Sequence, residues 1–257
     1  MPDPDLPDPD LPEPAFPEPV LPEPGSLAGT RAVVTGAAGG IGAAVAALLR
    51  AHGASVDAWD LMHDTGIRSV DVTDRQAVGD AWKAATQAGP VDIVVSAAGV
   101  MADDWDTCMA VNAGGVRNLL DVSLDDLTAR RSGSVVVVSS NAGATPRSGL
   151  AAYAASKAAA TSYARSLGLR VAPYGVRVNI VSPGSTDTPM LRGMWTDDAD
   201  RDRVLAGDPD AYRLGIPLGR IASPEDVAST VVFLASSAAR HITMHDLRVD
   251  GGATLDM

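Results

Sequence analysis

The chain has 257 residues, a formal net charge of −12 and 46% hydrophobic side chains. That is enough apolar material for one large α/β domain, and the acidity argues against nucleic acid and anionic membrane surfaces as partners. The one cysteine, Cys108, can form no internal disulfide, so a reducing cytoplasmic setting is expected.

The N-terminal stretch PDPDLPDPDLPEPAFPEPVLPEP holds ten prolines and seven acids, and no Lys or Arg. Proline fixes φ and removes backbone donors, and the acids repel one another. Residues 1–26 therefore read as a disordered tail of polyproline II character, or as a docking peptide for a proline-recognising partner. The stretch lacks the basic and apolar regions of a signal peptide. No run in the chain reaches the ~18 apolar residues that span a bilayer. With the tail's −7 set aside, the rest carries an ordinary −5.

From Arg31 onward, short apolar runs alternate with helical patterns. RAVVTG is the first strand, and IGAAVAALLRAHG is the helix after it. Between them lie Gly36, Gly39, Gly40, Ile41 and Gly42, in the spacing G-x-x-x-G-x-G. Such a loop is either a tight turn or a cradle where backbone and a helix N-terminus meet a pyrophosphate. ASVDAWD, the second strand, ends on Asp60, with Leu61 beside it. A carboxylate at that place accepts hydrogen bonds from the adenosine ribose and repels a 2′-phosphate. No cation follows it directly, so NAD is expected over NADP; the bland reading is a turn aspartate.

IRSVDV is the third strand, with Asp71 and Val72 at its end facing the adenine. The helical DRQAVGDAWKAATQAG follows it. VDIVVSAAG is the fourth strand and carries Ala98 and Gly99 at its carboxyl edge. Asn112 falls in MAVNAGGV, expected on a helix beside the site. GSVVVVSS is a buried strand ending on Ser140. Next comes AAYAASKAAA, on a helix over about 151–171, which puts Tyr153 and Lys157 one turn apart on a single face. The strand VRVNIVS, a helix at about 224–237 and the strand DLRVDGG complete the chain. This alternation predicts one Rossmann-type, doubly wound parallel sheet of about seven strands with helices on both faces.

Alone, Tyr-x-x-x-Lys is most simply a solvated helix pair. Together with Ser140, Asn112 and the glycine loop it resembles the short-chain dehydrogenase/reductase family. The likeness runs from Thr35–Gly42 through the Ser and the Tyr-Lys pair to Pro183 and Gly184, covering about 27–257. It implies one NAD-binding domain over 27–257, with Asn112, Ser140, Tyr153 and Lys157 as catalytic residues. An ammonium beside a phenol lowers its pKa, so Tyr153 would take the substrate hydroxyl proton while Ser140 holds the oxygen. By the family pattern, Lys157 also binds the nicotinamide ribose, Asn112 holds a water, and Pro183, Gly184, Thr186 and Thr188 frame the nicotinamide. Ser96 departs from the family, which has Asn there.

The C-terminal third, including Met244 after HIT, resembles the subgroup of 2,3-dihydro-2,3-dihydroxybenzoate dehydrogenases of catechol siderophore biosynthesis. The same scaffold would accept 2,3-dihydro-3-hydroxyanthranilate, and a non-catalytic NAD sensor is the reading from another class. The implied substrate carries a ring carboxylate, for which Arg147 is the candidate clamp, or else a plain surface arginine. Met190, Leu191 and Trp195 lie in the stretch that covers substrate, or are lid packing. No metal is expected. A homotetramer is the family expectation.

Overall fold

The computed structural model describes residues 26–62, 64–195 and 199–255. The Pro-rich stretch at 1–25 lies outside the described residues. Seven parallel strands form one sheet: β1 (Arg31–Thr35), β2 (Ser55–Asp60), β3 (Ile67–Ser69), β4 (Ile93–Ser96), β5 (Gly133–Val138), β6 (Val176–Pro183) and, last in the chain, Asp246–Val249. The spatial order is β3-β2-β1-β4-β5-β6 followed by the last strand. The order reverses between β1 and β4, whose carboxyl ends open a crevice there.

Unbroken valine runs make these strands because both sheet faces are covered. Successive side chains of a strand point to opposite faces. Val33, Val135 and Val137 join one buried cluster with Trp59, Trp82 and Leu119. Val34, Val136 and Val138 join the other with Val45, Leu49 and Val231. Helices α1 (Gly40–Ala51) and α2 (Arg75–Gln87) follow β1 and β3. A short helix α3 (Trp105–Cys108) continues through a π-helical turn, Met109–Gly114, into α4 (Gly115–Arg130). The long α5 (Ala151–Val171) precedes β6. Between β6 and the last strand come α6 (Pro189–Arg192), α7 (Ala199–Ala206), a two-stranded antiparallel hairpin of β7 (Gly207–Asp208) and β8 (Arg213–Leu214), and α8 (Pro224–Ala235). The last strand, Asp246–Val249, is β9.

The α5 helix matches the sequence expectation, whereas several strand ends do not. β3 stops at Ser69, so Asp71 and Val72 lie beyond it. The Asp71 carboxylate accepts from the Thr73 N–H and hydroxyl at 2.8 and 2.7 Å, turning the chain out of the sheet. β4 stops at Ser96, leaving Ala98 and Gly99 in the loop. β5 stops at Val138, and Ser140 instead caps a 3₁₀ turn over Asn141–Gly143. α8 ends at Ala235 because Ser236 is extended and caps the next short turn. Asn112 lies on a helical segment as expected, in its π-helical turn. The sequence reading names neither α4, nor α6, nor α7, nor the hairpin. No helix among the described residues is long and apolar enough to cross a membrane.

Candidate active site

The glycine loop leaves β1 at the topological switch and presses on the loop after β4. A Cβ on Gly36 would lie 2.5 Å from the Ala98 nitrogen, and Gly36 has φ +71°. A Cβ on Gly42 would stand 2.0 Å from the Gly36 carbonyl oxygen. A Cβ on Gly40 would meet the Thr188 methyl at 2.7 Å. The loop thus takes its shape only because these side chains are absent, and α1 begins directly behind it. The Asp60 carboxylate accepts from the Ala38 N–H at 2.9 Å and the Met62 N–H at 3.0 Å, which fixes it at the β2 edge beside the loop. Leu61, 68% exposed, lies open next to it. This glycine cradle, helix N-terminus and strand-end carboxylate fit a dinucleotide.

On the far side of β4, Asn112 is fully buried. Its Oδ1 accepts from the Val100 N–H at 2.8 Å, and its Nδ2 donates to the Val100 carbonyl and the Ser156 hydroxyl, both at 2.9 Å. The side chain is therefore occupied in tying the loop after β4 to α5. Any water held at this residue must use its main chain. Asn118 holds the turn after β3 in the same way, donating to the carbonyls of Val72 and Thr73. Ser96 is buried in β4 between Thr35 and Val137.

Tyr153 and Lys157 leave the same face of α5, where alanines allow the helix to pack closely. Lys157 Nζ donates to the Val138 carbonyl at 3.1 Å and lies 5.9 Å from the centre of the Tyr153 ring. The same Nζ would be 3.2 Å from a Cβ on Gly99. Ser140 hydrogen-bonds the Tyr153 side chain. Burial pushes the Lys157 ammonium down to about 8, partly countered by Cys108. Burial also pushes the Tyr153 phenol up, against the Ser140 hydrogen bond that pulls it back. The sequence expectation of a phenol acidified by its lysine is therefore corrected. Burial is the largest influence on the phenol, and it acts opposite to the lowering expected from Lys157.

A cavity of about 150 Å³ opens in front of this pair. Ser140, Tyr153, Ile41, Pro183, Gly184, Thr186 and Thr188 line it, so two of the candidate catalytic residues share one space with the candidate nicotinamide-framing residues, while Asn112 and Lys157 stand behind its wall. Thr188 caps α6 through its hydroxyl, which accepts from the Leu191 N–H at 3.3 Å. Thr186 bridges to Ala222 and donates to the Gly184 carbonyl. Met190 and Leu191 of α6 line the cavity as expected, while Trp195 does not. Arg147 lines it too and is half-buried, so it is not the plain surface arginine.

Several lining or supporting residues escaped the sequence reading, four of them with side chains that shape the space. Met101 and Met194 add apolar wall, and Arg213 reaches in from the hairpin. Asn141 donates to the buried Asp250, which also accepts from Thr254 and Gly252. Only the serine-plus-one position of Asn141 could have signalled its place. Arg213 has no sequence signal, since no motif surrounds it.

A family model described as enoyl-(acyl carrier protein) reductase matches residues 36–254. The chain is 41% identical over 252 residues to the 2,3-dihydro-2,3-dihydroxybenzoate dehydrogenase of Bacillus subtilis, spanning 88% of this chain and 97% of that protein. It is likewise 41% identical to the enzyme of the same name from Escherichia coli, spanning 86% and 96%. Among solved structures, a 7α-hydroxysteroid dehydrogenase complexed with NADH and 7-oxo glycochenodeoxycholic acid superposes with a TM-score of 0.81 at 25% identity, over 88% of this chain and 95% of that one. With the matched span, the sheet order, the placement of Ser140 and Tyr153 in one cavity and Lys157 one turn along α5 from Tyr153, the chain belongs to the short-chain dehydrogenase/reductase family.

Proposed function

We propose that residues 27–257 act as one NAD-dependent dehydrogenase domain. It oxidises a ring hydroxyl of 2,3-dihydro-2,3-dihydroxybenzoate, giving 2,3-dihydroxybenzoate for siderophore or related secondary metabolism. The observation that carries this reading is the single cavity in which Ser140 and Tyr153 share a wall with Arg147. The near-full-length likeness to two enzymes of that name supports the substrate.

When bound, NAD supplies the hydride acceptor and a positive ring that favours a nearby phenolate. Gly36, Gly40, Ile41 and Gly42 cradle its pyrophosphate. Asp60 and Leu61 hold the adenosine ribose, and Asp71, Val72, Ala98 and Gly99 form the adenine-side wall. Pro183, Gly184, Thr186 and Thr188 frame the nicotinamide. Ser140 donates to the substrate oxygen, and Tyr153 takes the hydroxyl proton as the carbon gives up its hydride. Lys157, mostly cationic at neutral pH with its pKa about 8, favours that transfer and binds the nicotinamide ribose. Asn112 orders the helix turn beneath the pair. The ring ketone then tautomerises to the aromatic product, which draws the oxidation forward. Arg147 holds the ring carboxylate, and Met190 covers the ring. The working form is a homotetramer in the cytoplasm, built on α4, α5 and α8, and light scattering reads that mass directly.

The test is absorbance at 340 nm with NAD and the trans diol. Wild type turns over, and Tyr153→Phe loses about 10²–10⁴-fold in kcat while still binding NADH. Preference for 2,3-dihydro-3-hydroxyanthranilate moves the chain to that substrate. Silence on both with NADH bound leaves the non-catalytic sensor.

A further inference from the structure

Arg213 stands on the β7–β8 hairpin, remote in sequence from every candidate catalytic residue, yet it lines the same cavity as Tyr153 and Arg147. Its guanidinium donates to the Ser185 hydroxyl at 2.9 Å. Ser185 follows Gly184 at the carboxyl edge of β6, and its own carbonyl accepts from the Ala222 N–H at 3.1 Å. Arg213 is therefore held toward the nicotinamide-framing segment.

The hairpin that carries it is tightly built. A Cβ on Gly207 would lie 2.7 Å from the Arg213 carbonyl oxygen, and one on Gly215 only 2.3 Å from the Leu205 carbonyl oxygen. This geometry leaves the backbone around Arg213 little freedom.

Two guanidiniums thus share one half-buried space. Among the described residues neither is ion-paired, and Arg147 has no side-chain hydrogen bond. The one carboxylate near Arg147, Asp250, is already taken by Thr254 at 2.6 Å, Gly252 at 3.0 Å and Asn141 at 3.2 Å. Burial followed by the charge of Arg213 lowers the pKa of Arg147, and Asp250 only partly offsets them. Burial lowers that of Arg213 in turn, and Asp208 partly offsets it. Arginine does not deprotonate in proteins, so both stay charged and repel. Two partly desolvated cations whose nearby carboxylates, Asp250 and Asp208, are engaged elsewhere and ion-pair with neither are relieved by an anion between them, and a planar carboxylate matches guanidinium donors.

We propose that Arg213 is a specificity-determining residue that, with Arg147, forms a two-armed clamp for the carboxylate of the substrate ring. This rests on the carboxylated dihydrodiol reading above. The hairpin then selects ring acids over neutral ring alcohols.

Steady-state kinetics of Arg213→Gln on the diol acid and on its methyl ester test this, with calorimetry of 2,3-dihydroxybenzoate and catechol binding to the NAD-bound enzyme. Expected is a tenfold to hundredfold rise in KM for the acid, about the range for a lost charge-assisted hydrogen bond, with kcat within about threefold. The KM for the ester stays put, and Arg213→Lys recovers part of the loss. Ser185→Ala, which frees the guanidinium but keeps the charge, gives a smaller rise and guards against a misfolded Gln variant. Equal losses on acid and ester, or none on the acid, overturn the clamp. Wild type inactive on the diol but binding 2,3-dihydroxybenzoate far more tightly than catechol, with the difference erased by Arg213→Gln, sinks the substrate reading and keeps the clamp.

Discussion

Gly42→Ala tests the glycine cradle most directly. Gly42 is the third residue of α1, where alanine would ordinarily help the helix by about 1 kcal/mol. Here the new Cβ would stand 2.0 Å from the Gly36 carbonyl oxygen and 2.7 Å from its carbonyl carbon. Both atoms are backbone, so no side chain can swing aside. Reaching an ordinary contact of about 3.4 Å demands a shift of roughly 1.4 Å between the loop and the helix start. If the helix start yields toward the loop, the about 1–3 kcal/mol of overpacking falls on the cradle, so the Kd for NADH should rise roughly tenfold to a hundredfold. Overpacking costs about 1–3 kcal/mol, which for a domain of this size lowers Tm by about 2–12 °C. Fluorescence titration with NADH and a thermal melt read the two effects separately. Gly79→Ala in α2 is the control, because a Cβ there meets nothing within 4 Å. It should raise Tm slightly and leave NADH binding alone. If Gly42→Ala binds NADH within twofold of wild type and melts no lower, the steric account of this loop is wrong.

The Asp60 carboxylate accepts from the loop at Ala38, and in the proposed cofactor site it would repel a 2′-phosphate. Asp60→Ser should cut the NAD-over-NADP ratio of kcat/KM by about 10²-fold, and an unchanged ratio removes Asp60 from cofactor choice. Lys157 has a folded pKa of about 8 against an ordinary 10.5, so its charged form opposes folding below pH 8 and the penalty fades as pH rises toward 10.5. That gap corresponds to about 3 kcal/mol. Denaturant stability of wild type should therefore gain on Lys157→Met between pH 7.5 and 10, by up to that amount. Parallel curves would show that Lys157 is solvated.

Much of this protein is legible before folding is considered. Alternating valine runs and helical stretches dictate a parallel sheet covered on both faces, since each strand must bury both sides. The spacing of Tyr153 and Lys157 puts them one turn apart by helix geometry alone, and α5 runs over the expected span. The glycine loop is legible because a Cβ at Gly36, Gly40 or Gly42 would collide with the neighbouring chain. Strand ends were less so: whether Asp71 ends a strand or turns the chain depends on where its carboxylate finds donors, and the sheet did not decide that locally.

Local sequence thus determined the fold class and the residue types of the site, because period, propensity and glycine sterics act over a few neighbours. Tertiary structure alone decided the electrostatics. The desolvation of Tyr153 and Lys157 depends on what packs around them, so a phenol expected to be acidified is instead pushed up. Arg213 lies 66 residues after Arg147 in the chain, and their meeting in one cavity follows from the hairpin's placement over the carboxyl edge of the sheet. No short-range pattern encodes that meeting, since charges separated so far in sequence become neighbours only once the core has packed.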